Sequence, residues 1–175
     1  LLNVFTMAAL LVAPSLTNAQ INTPQASSAG SVSSVVGLTD VTIDYSRPKM
    51  KGRKIFGEGS DFLQPYGQVW RSGANSGSVL SLSTDVEIAG TKVAAGKYLI
   101  FTIPGESEWS FMLYSDLSLG GNVAGYDKSK EVLMTSVKPS TLASPVETLT
   151  FIISDISEDN TSANIELTWA NVSVK

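Results

Sequence analysis

Alternation with a period of two runs through most of this chain, and it restricts the fold more than any other feature. Between Leu80 and Ile88, the residues Leu80, Leu82, Val86 and Ile88 share one parity, while Ser81, Ser83, Asp85 and Glu87 share the other. Successive side chains of a β-strand point to opposite faces, so this segment reads as a strand with one face in a core and one in water. Val41–Ser46 repeats the pattern and puts Asp44 on the opposite face from Tyr45. Tyr98–Ile103 is apolar at both parities, as expected of a central strand covered on both sides.

Turn signals separate these segments. Ala89-Gly90 and Ala95-Gly96 mark hairpin turns, Pro104-Gly105 ends the central strand, and Glu158-Asp159-Asn160 leads into the last one. Trp109–Tyr114, Glu131–Val137 and Glu147–Ile153 read as further strands. In the final strand Ala163, Ile165, Leu167 and Trp169 share a face, but Val172 and Val174 fall on the other parity, which predicts a bulge or break near Ala170-Asn171. No helical period persists. The pattern predicts an all-β fold, a single antiparallel β-sandwich or barrel-like domain over residues 32–175. Leu82, Tyr98, Ile100, Phe101, Phe111, Ile153, Leu167 and Trp169 are the expected core.

The N-terminal part reads differently. Leu1–Leu16 is apolar and charge-free and is followed by Thr17-Asn18-Ala19-Gln20, the signature of a signal peptide over 1–19 cleaved before Gln20. The run is too short for a comfortable transmembrane helix, which needs roughly 20 apolar residues. Residues 20–31, small and polar, read as a flexible lead-in. The expected location is therefore outside the cytoplasm, periplasmic or extracellular. What remains after the signal suffices for one domain with its own core.

Composition removes several functions. There is no cysteine, so neither a disulfide nor a lipid anchor on a cysteine is available, and no histidine, which excludes imidazole-based triads and zinc sites of the usual kind. With a net charge of −4 and no block of like charges, nucleic acid and anionic membrane surfaces are unsuitable partners. No cofactor motif is present. Gly120–Gly125 is glycine-rich but lacks the ending of a phosphate loop, and the acidic turn 155–160 lacks the spacing of a calcium loop.

Residues 44–75 carry the concentrated chemistry. Arg47, Arg53 and Arg71 supply guanidinium groups able to fork onto carboxylate or phosphate. Tyr45, Tyr66 and Trp70 offer faces for stacking, Asn75 an amide that donates and accepts, and five glycines allow tight turns between them. One reading is a pocket for a small polar or anionic ligand or glycan. The other is a structural tie across the sandwich, with Asp44 paired to Arg47 or Arg71 and Trp70 capping the core. A third possibility, a hydrolase using Asp44, Glu58 or Asp61, follows only from the availability of carboxylates.

The same segment, with its Tyr-Ser-Arg-Pro (45–48), Lys-Gly-Arg (51–53), Ile-Phe-Gly (55–57), Pro-Tyr-Gly (65–67), Val-Trp-Arg (69–71) and Gly-Ala-Asn (73–75) pieces in order, resembles a family of exported bacterial proteins described only as a domain of unknown function. The resemblance continues through Phe101–Gly105 and Glu108-Trp109 and weakly to the end. It implies a compact exported β-rich domain, with no assigned reaction, cofactor or catalytic residue. Many members have a tryptophan-glycine pair where this chain has Leu119-Gly120-Gly121. The resulting expectation is a non-enzymatic β-sandwich that binds a small polar ligand, glycan or envelope component, with structural or assembly work in the bacterial envelope as the alternative.

Overall fold

The computed structural model describes residues 23–175. The expected signal peptide, 1–19, and the start of the lead-in lie outside these residues. Twelve strands follow: β1 (Ser28–Val36), β2 (Thr39–Arg47), β3 (Phe56–Gly57), β4 (Gln64–Pro65), β5 (Ser78–Leu82), β6 (Val86–Ile88), β7 (Thr91–Val93), β8 (Gly96–Ile103), β9 (Trp109–Tyr114), β10 (Glu131–Val137), β11 (Ser140–Ser154) and β12 (Asn164–Val174). The fold is all-β. Three one-turn 3-10 helices, Leu117–Leu119, Val123–Gly125 and Lys128–Lys130, lie between β9 and β10. No helix among the described residues is long and apolar enough to cross a membrane.

Six strands form one open antiparallel sheet in the order β1-β2-β5-β8-β9-β10, and β11 with β12 form a separate pair. Their shared core decides the arrangement. Ile43 and Leu80 of the large sheet and Leu149, Phe151, Leu167 and Trp169 of the β11–β12 pair belong to one buried cluster, so the two layers are sandwiched face to face. The central strand β8 contributes to both sides. Tyr98 and Ile100 enter that cluster, whereas Leu99 and Phe101 join Met112 and Tyr114 in a second core under Leu119, Val123 and Tyr126 of the 3-10 segment. Two-faced burial is why Tyr98–Ile103 is apolar at every parity.

Local chemistry explains the turns. Ala89 and Gly90 both take positive φ, 49° and 81°, as a two-residue turn matched to strand twist requires. Ala170 sits at φ 53°, and the β11–β12 register shifts between Val146 and Thr150, which marks the expected bulge. It flips the side-chain parity, so that Trp169 before it and Val174 after it enter the same core. Pro145 lies in the neighbouring irregular stretch between Thr141 and Val146, where no ladder bond is asked of it.

Three expectations need correction. Leu80–Ile88 is not one strand: β5 ends at Leu82, and β6 pairs with β7 in its own hairpin. The chain is drawn aside there because the Thr84 and Thr39 hydroxyls bond each other and the Ser83 N–H donates to the Asp40 carbonyl. The lead-in expected over 20–31 is shorter, since β1 begins at Ser28 and pairs with Arg47 of β2. Phe111 and Ile153 are half-buried rather than buried, because both line hollows between the layers. The expected all-β antiparallel fold is what forms, and of its two expected shapes the open sheets give the sandwich.

Candidate functional site

At Arg47-Pro48 the chain leaves the six-stranded sheet and runs on beside the second layer. The Leu149 N–H donates to the Pro48 carbonyl at 2.9 Å and the Met50 N–H to the Glu147 carbonyl at 2.8 Å. Lys51 and Gly52 then turn the chain with φ of 50° and 72°, and the Arg53 N–H closes the turn on the Met50 carbonyl at 3.0 Å. Beyond it, Phe56 is driven into an aromatic cluster, with ring centroids 4.8 Å from Trp109, 5.6 Å from Trp70 and 5.8 Å from Trp169.

Trp70 is tied to β8 from both sides of its peptide unit. Its N–H donates to the Thr102 carbonyl at 2.7 Å, and the Thr102 N–H donates back at 2.9 Å. The loop 71–77 then stands out from the sheet. Its base is pinned by the buried Ser72, whose hydroxyl lies 3.1 Å from that of Thr102, and by the Ser78 hydroxyl donating to the Ser72 carbonyl at 2.8 Å. Arg71 Nη1 donates to the Asn75 carbonyl at 3.0 Å, and Asn75 Nδ2 to Ser46 Oγ at 3.0 Å and to the Ser27 carbonyl at 3.4 Å.

Between this loop and the 48–53 turn lies a concavity of about 420 Å³, lined by Lys49, Lys51, Arg53, Arg71, Asn75, Gln64 and the buried Trp169, with Ala26 and Ser27 also in its lining. Four of its lining side chains are cationic and none is acidic. The ion pairs among the described residues are those of Lys175 with Asp155 and Glu166, so none of the four cations is neutralised by a carboxylate. One acid is near: Glu147 Oε1 accepts from the Lys51 backbone N–H at 3.0 Å. Arg53 spends Nε and Nη2 on the Met50 and Lys49 carbonyls, at 3.0 and 2.6 Å, which holds its guanidinium in place and leaves Nη1 without a partner among the described residues.

The structure thus brings together Arg53, Arg71 and Asn75 among the residues singled out by sequence, and it places the other five elsewhere. Tyr45 is in the core, edge-on to Phe151 at 5.0 Å, with its hydroxyl accepting from the Phe151 N–H at 3.2 Å. Trp70 is only 3% exposed and donates from Nε1 to the Gly73 carbonyl at 3.1 Å, so it has no free face for a ligand. Arg47 bridges the two layers through the Leu149 carbonyl and the Thr150 hydroxyl, each at 3.4 Å. Tyr66 is half-buried and outside the cavity lining. Asp44 is exposed on the far face of β2 and pairs with neither Arg47 nor Arg71. Glu58 and Asp61 are exposed too, and none of the three carboxylates lines the cavity.

Lys49, Lys51 and Trp169 were missed. The signal for the lysines was present: Arg47, Lys49, Lys51 and Arg53 alternate along the chain. Trp169 could not be found this way, because it borders the cavity from a strand almost a hundred residues later.

The profile of the family described as "Protein of unknown function (DUF2911)" matches residues 27–175. The chain belongs to the DUF2911 family. Neither the curated proteins nor the solved structures hold a match to it. The match takes in the whole sandwich of this DUF2911 protein and begins in the cavity lining, at Ser27. Leu119-Gly120-Gly121, where the chain departs from the resemblance noted above, touches the same site. A Cβ at Gly121 would overlap the Asn75 carbonyl and come within 2.6 Å of Arg71 Nη1. Among the described residues of this DUF2911 protein, no group of three or more His, Cys, Asp or Glu side chains is placed to hold a metal.

Proposed function

We propose that this protein is an exported binding domain for a small anionic molecule, such as a carboxylate-bearing sugar unit of an envelope glycan. The observation that carries this reading is the charge of one concavity. Lys49, Lys51, Arg53 and Arg71 converge without a lining carboxylate in a chain whose net charge is −4. Unpaired like charges held together repel one another, and an anion relieves that repulsion. The planar forks of Arg53 and Arg71 suit a two-oxygen anion, and Asn75 can fix its orientation.

Titration with glucuronate and with inorganic phosphate at low ionic strength, followed by backbone amide NMR, tests the proposal. Shifts should concentrate at 49–53 and 71–75, weaken with salt, and fall by about tenfold in affinity for Arg71→Lys, equivalent to about 1.4 kcal/mol. Shifts spread evenly over the surface, or unchanged in Arg71→Lys, would count against the site.

Docking of an envelope partner is the second reading, favoured by a different feature. Edge strand β1 carries no charged residue and no proline, and at its end Val35 and Leu38 are 61% and 93% exposed. Natural edge strands usually carry some such guard against pairing with another chain.

A further inference from the structure

The molecule holds a second concave feature, of the opposite chemistry and sharing no lining residue with the basic cavity. Two adjoining hollows of about 320 and 660 Å³ lie between the large sheet and β12, with Ile88, Ala163 and Ile165 in the wall common to both. Phe111 and Leu167 line the smaller, Leu82 and Ile153 the larger. They exist because two long strands cannot cover six, and the β6–β7 hairpin fills only part of the remainder. As a result Phe111, Ile153, Ile165 and Ile88 pack on the core yet stay half-exposed. Apolar walls facing a gap forgo dispersion contacts that an apolar guest restores. Each hollow is also within the size range of small-molecule sites, about 300–1,000 Å³.

The charges around the cleft restrict the guest. Among the described residues lining it, Asp85, Glu87 and Lys175 are charged. Lys175 is already engaged, with Nζ 2.7 Å from Asp155 and 4.0 Å from Glu166. Asp85 and Glu87 are exposed at the rim. An anionic head would therefore find no free cation in the lining and would meet two carboxylates. We propose that this cleft binds the aliphatic chain of a single-chain amphiphile whose head is uncharged or cationic.

The test uses the purified full chain and the neutral fluorophore N-phenyl-1-naphthylamine. Displacement is then measured with octyl-, decyl- and dodecyltrimethylammonium and with dodecanoate, all below their micelle concentrations at neutral pH. The probe should saturate one site, and displacement should strengthen about fourfold per added methylene until the cleft is full. Dodecanoate should be at least about tenfold weaker than the dodecyl cation, a gap of about 1.4 kcal/mol. Ala163→Trp, which fills the common wall, should lower uptake by at least about tenfold with its cooperative thermal transition retained. Should that variant fail to fold, Ser136→Phe narrows the smaller hollow from the exposed edge strand β10. Absence of displaceable uptake, equal binding of dodecanoate, or uptake untouched by the folded blocking variant would overturn the proposal. Uptake that disappears as the protein self-associates would also overturn it, by making a second copy the occupant.

Discussion

The indoles of Trp70 and Trp169 are stacked, with centroids 5.8 Å apart and planes 22° from parallel. Both rings are buried, at 3% and 1% exposed, and Trp169 also borders the basic cavity. Trp70 therefore serves the site from beneath. Trp70→Ala should lower unfolding free energy by about 3–5 kcal/mol, the usual cost of removing a buried Trp or Phe side chain. Denaturant titration measures it. A loss below about 0.5 kcal/mol, typical of surface changes, would contradict burial of that ring.

Tyr45 supports the sandwich through one hydroxyl. In Tyr45→Phe the buried Phe151 N–H loses its partner, so stability should fall by about 1–3 kcal/mol with the fold retained. Hydrogen exchange at Phe151 should accelerate beyond the change in its neighbours. An unaltered exchange rate would mean that this amide finds another acceptor.

Asp44 and Arg71 should behave independently. Neither is placed against the other, so a double-mutant cycle with Asp44→Asn and Arg71→Lys should give stability effects that add within about 0.5 kcal/mol. Coupling above about 1 kcal/mol would restore the structural tie that the sequence permitted.

Gly121 limits the space beside Arg71. Gly121→Ala should displace the Arg71–Asn75 pair and weaken anion binding by about tenfold, or about 1.4 kcal/mol. The comparison is binding measured calorimetrically beside melting temperature. Equal loss in a variant that keeps Arg71 but alters a distant loop would remove the argument for a local effect.

Alkaline stability should depend on Tyr126. Burial first, and then its hydrogen bond to Glu131 at 2.9 Å, raise this phenol well above the ordinary tyrosine value of about 10. Folding thus favours the neutral phenol. Its contribution is complete below the unfolded pKa and declines as pH rises from there through the folded pKa. Tyr126→Phe should flatten the fall of stability above about pH 10, as read from unfolding curves at several pH values. An unchanged slope would place the alkaline sensitivity elsewhere.

Local alternation made the strands legible. Trp109–Tyr114 and Glu131–Val137 match β9 and β10 residue for residue, and the parity change after Trp169 located the Ala170 bulge. What failed was whatever depends on distant partners. The Ser83–Asp85 bend is set by Thr39 and Asp40, over forty residues earlier, and is invisible in a pattern whose parity continues across it. Trp70 and Tyr45 looked available because composition does not reveal which aromatic the second layer will cover. Half of the chain's twelve basic residues fall between 47 and 71, yet only the folded turn shows which of them share a cavity.

The parity reversal at Ala170 also makes the end of the chain intolerant of changes in length. A substitution there alters one small side chain. Deleting Ala170 would instead shift the reading of every residue after it by one face, turning Val172 and Val174 away from the core and the exposed Asn171 toward it. The last strand is therefore a counted segment, in which the number of residues carries as much structural information as their identity.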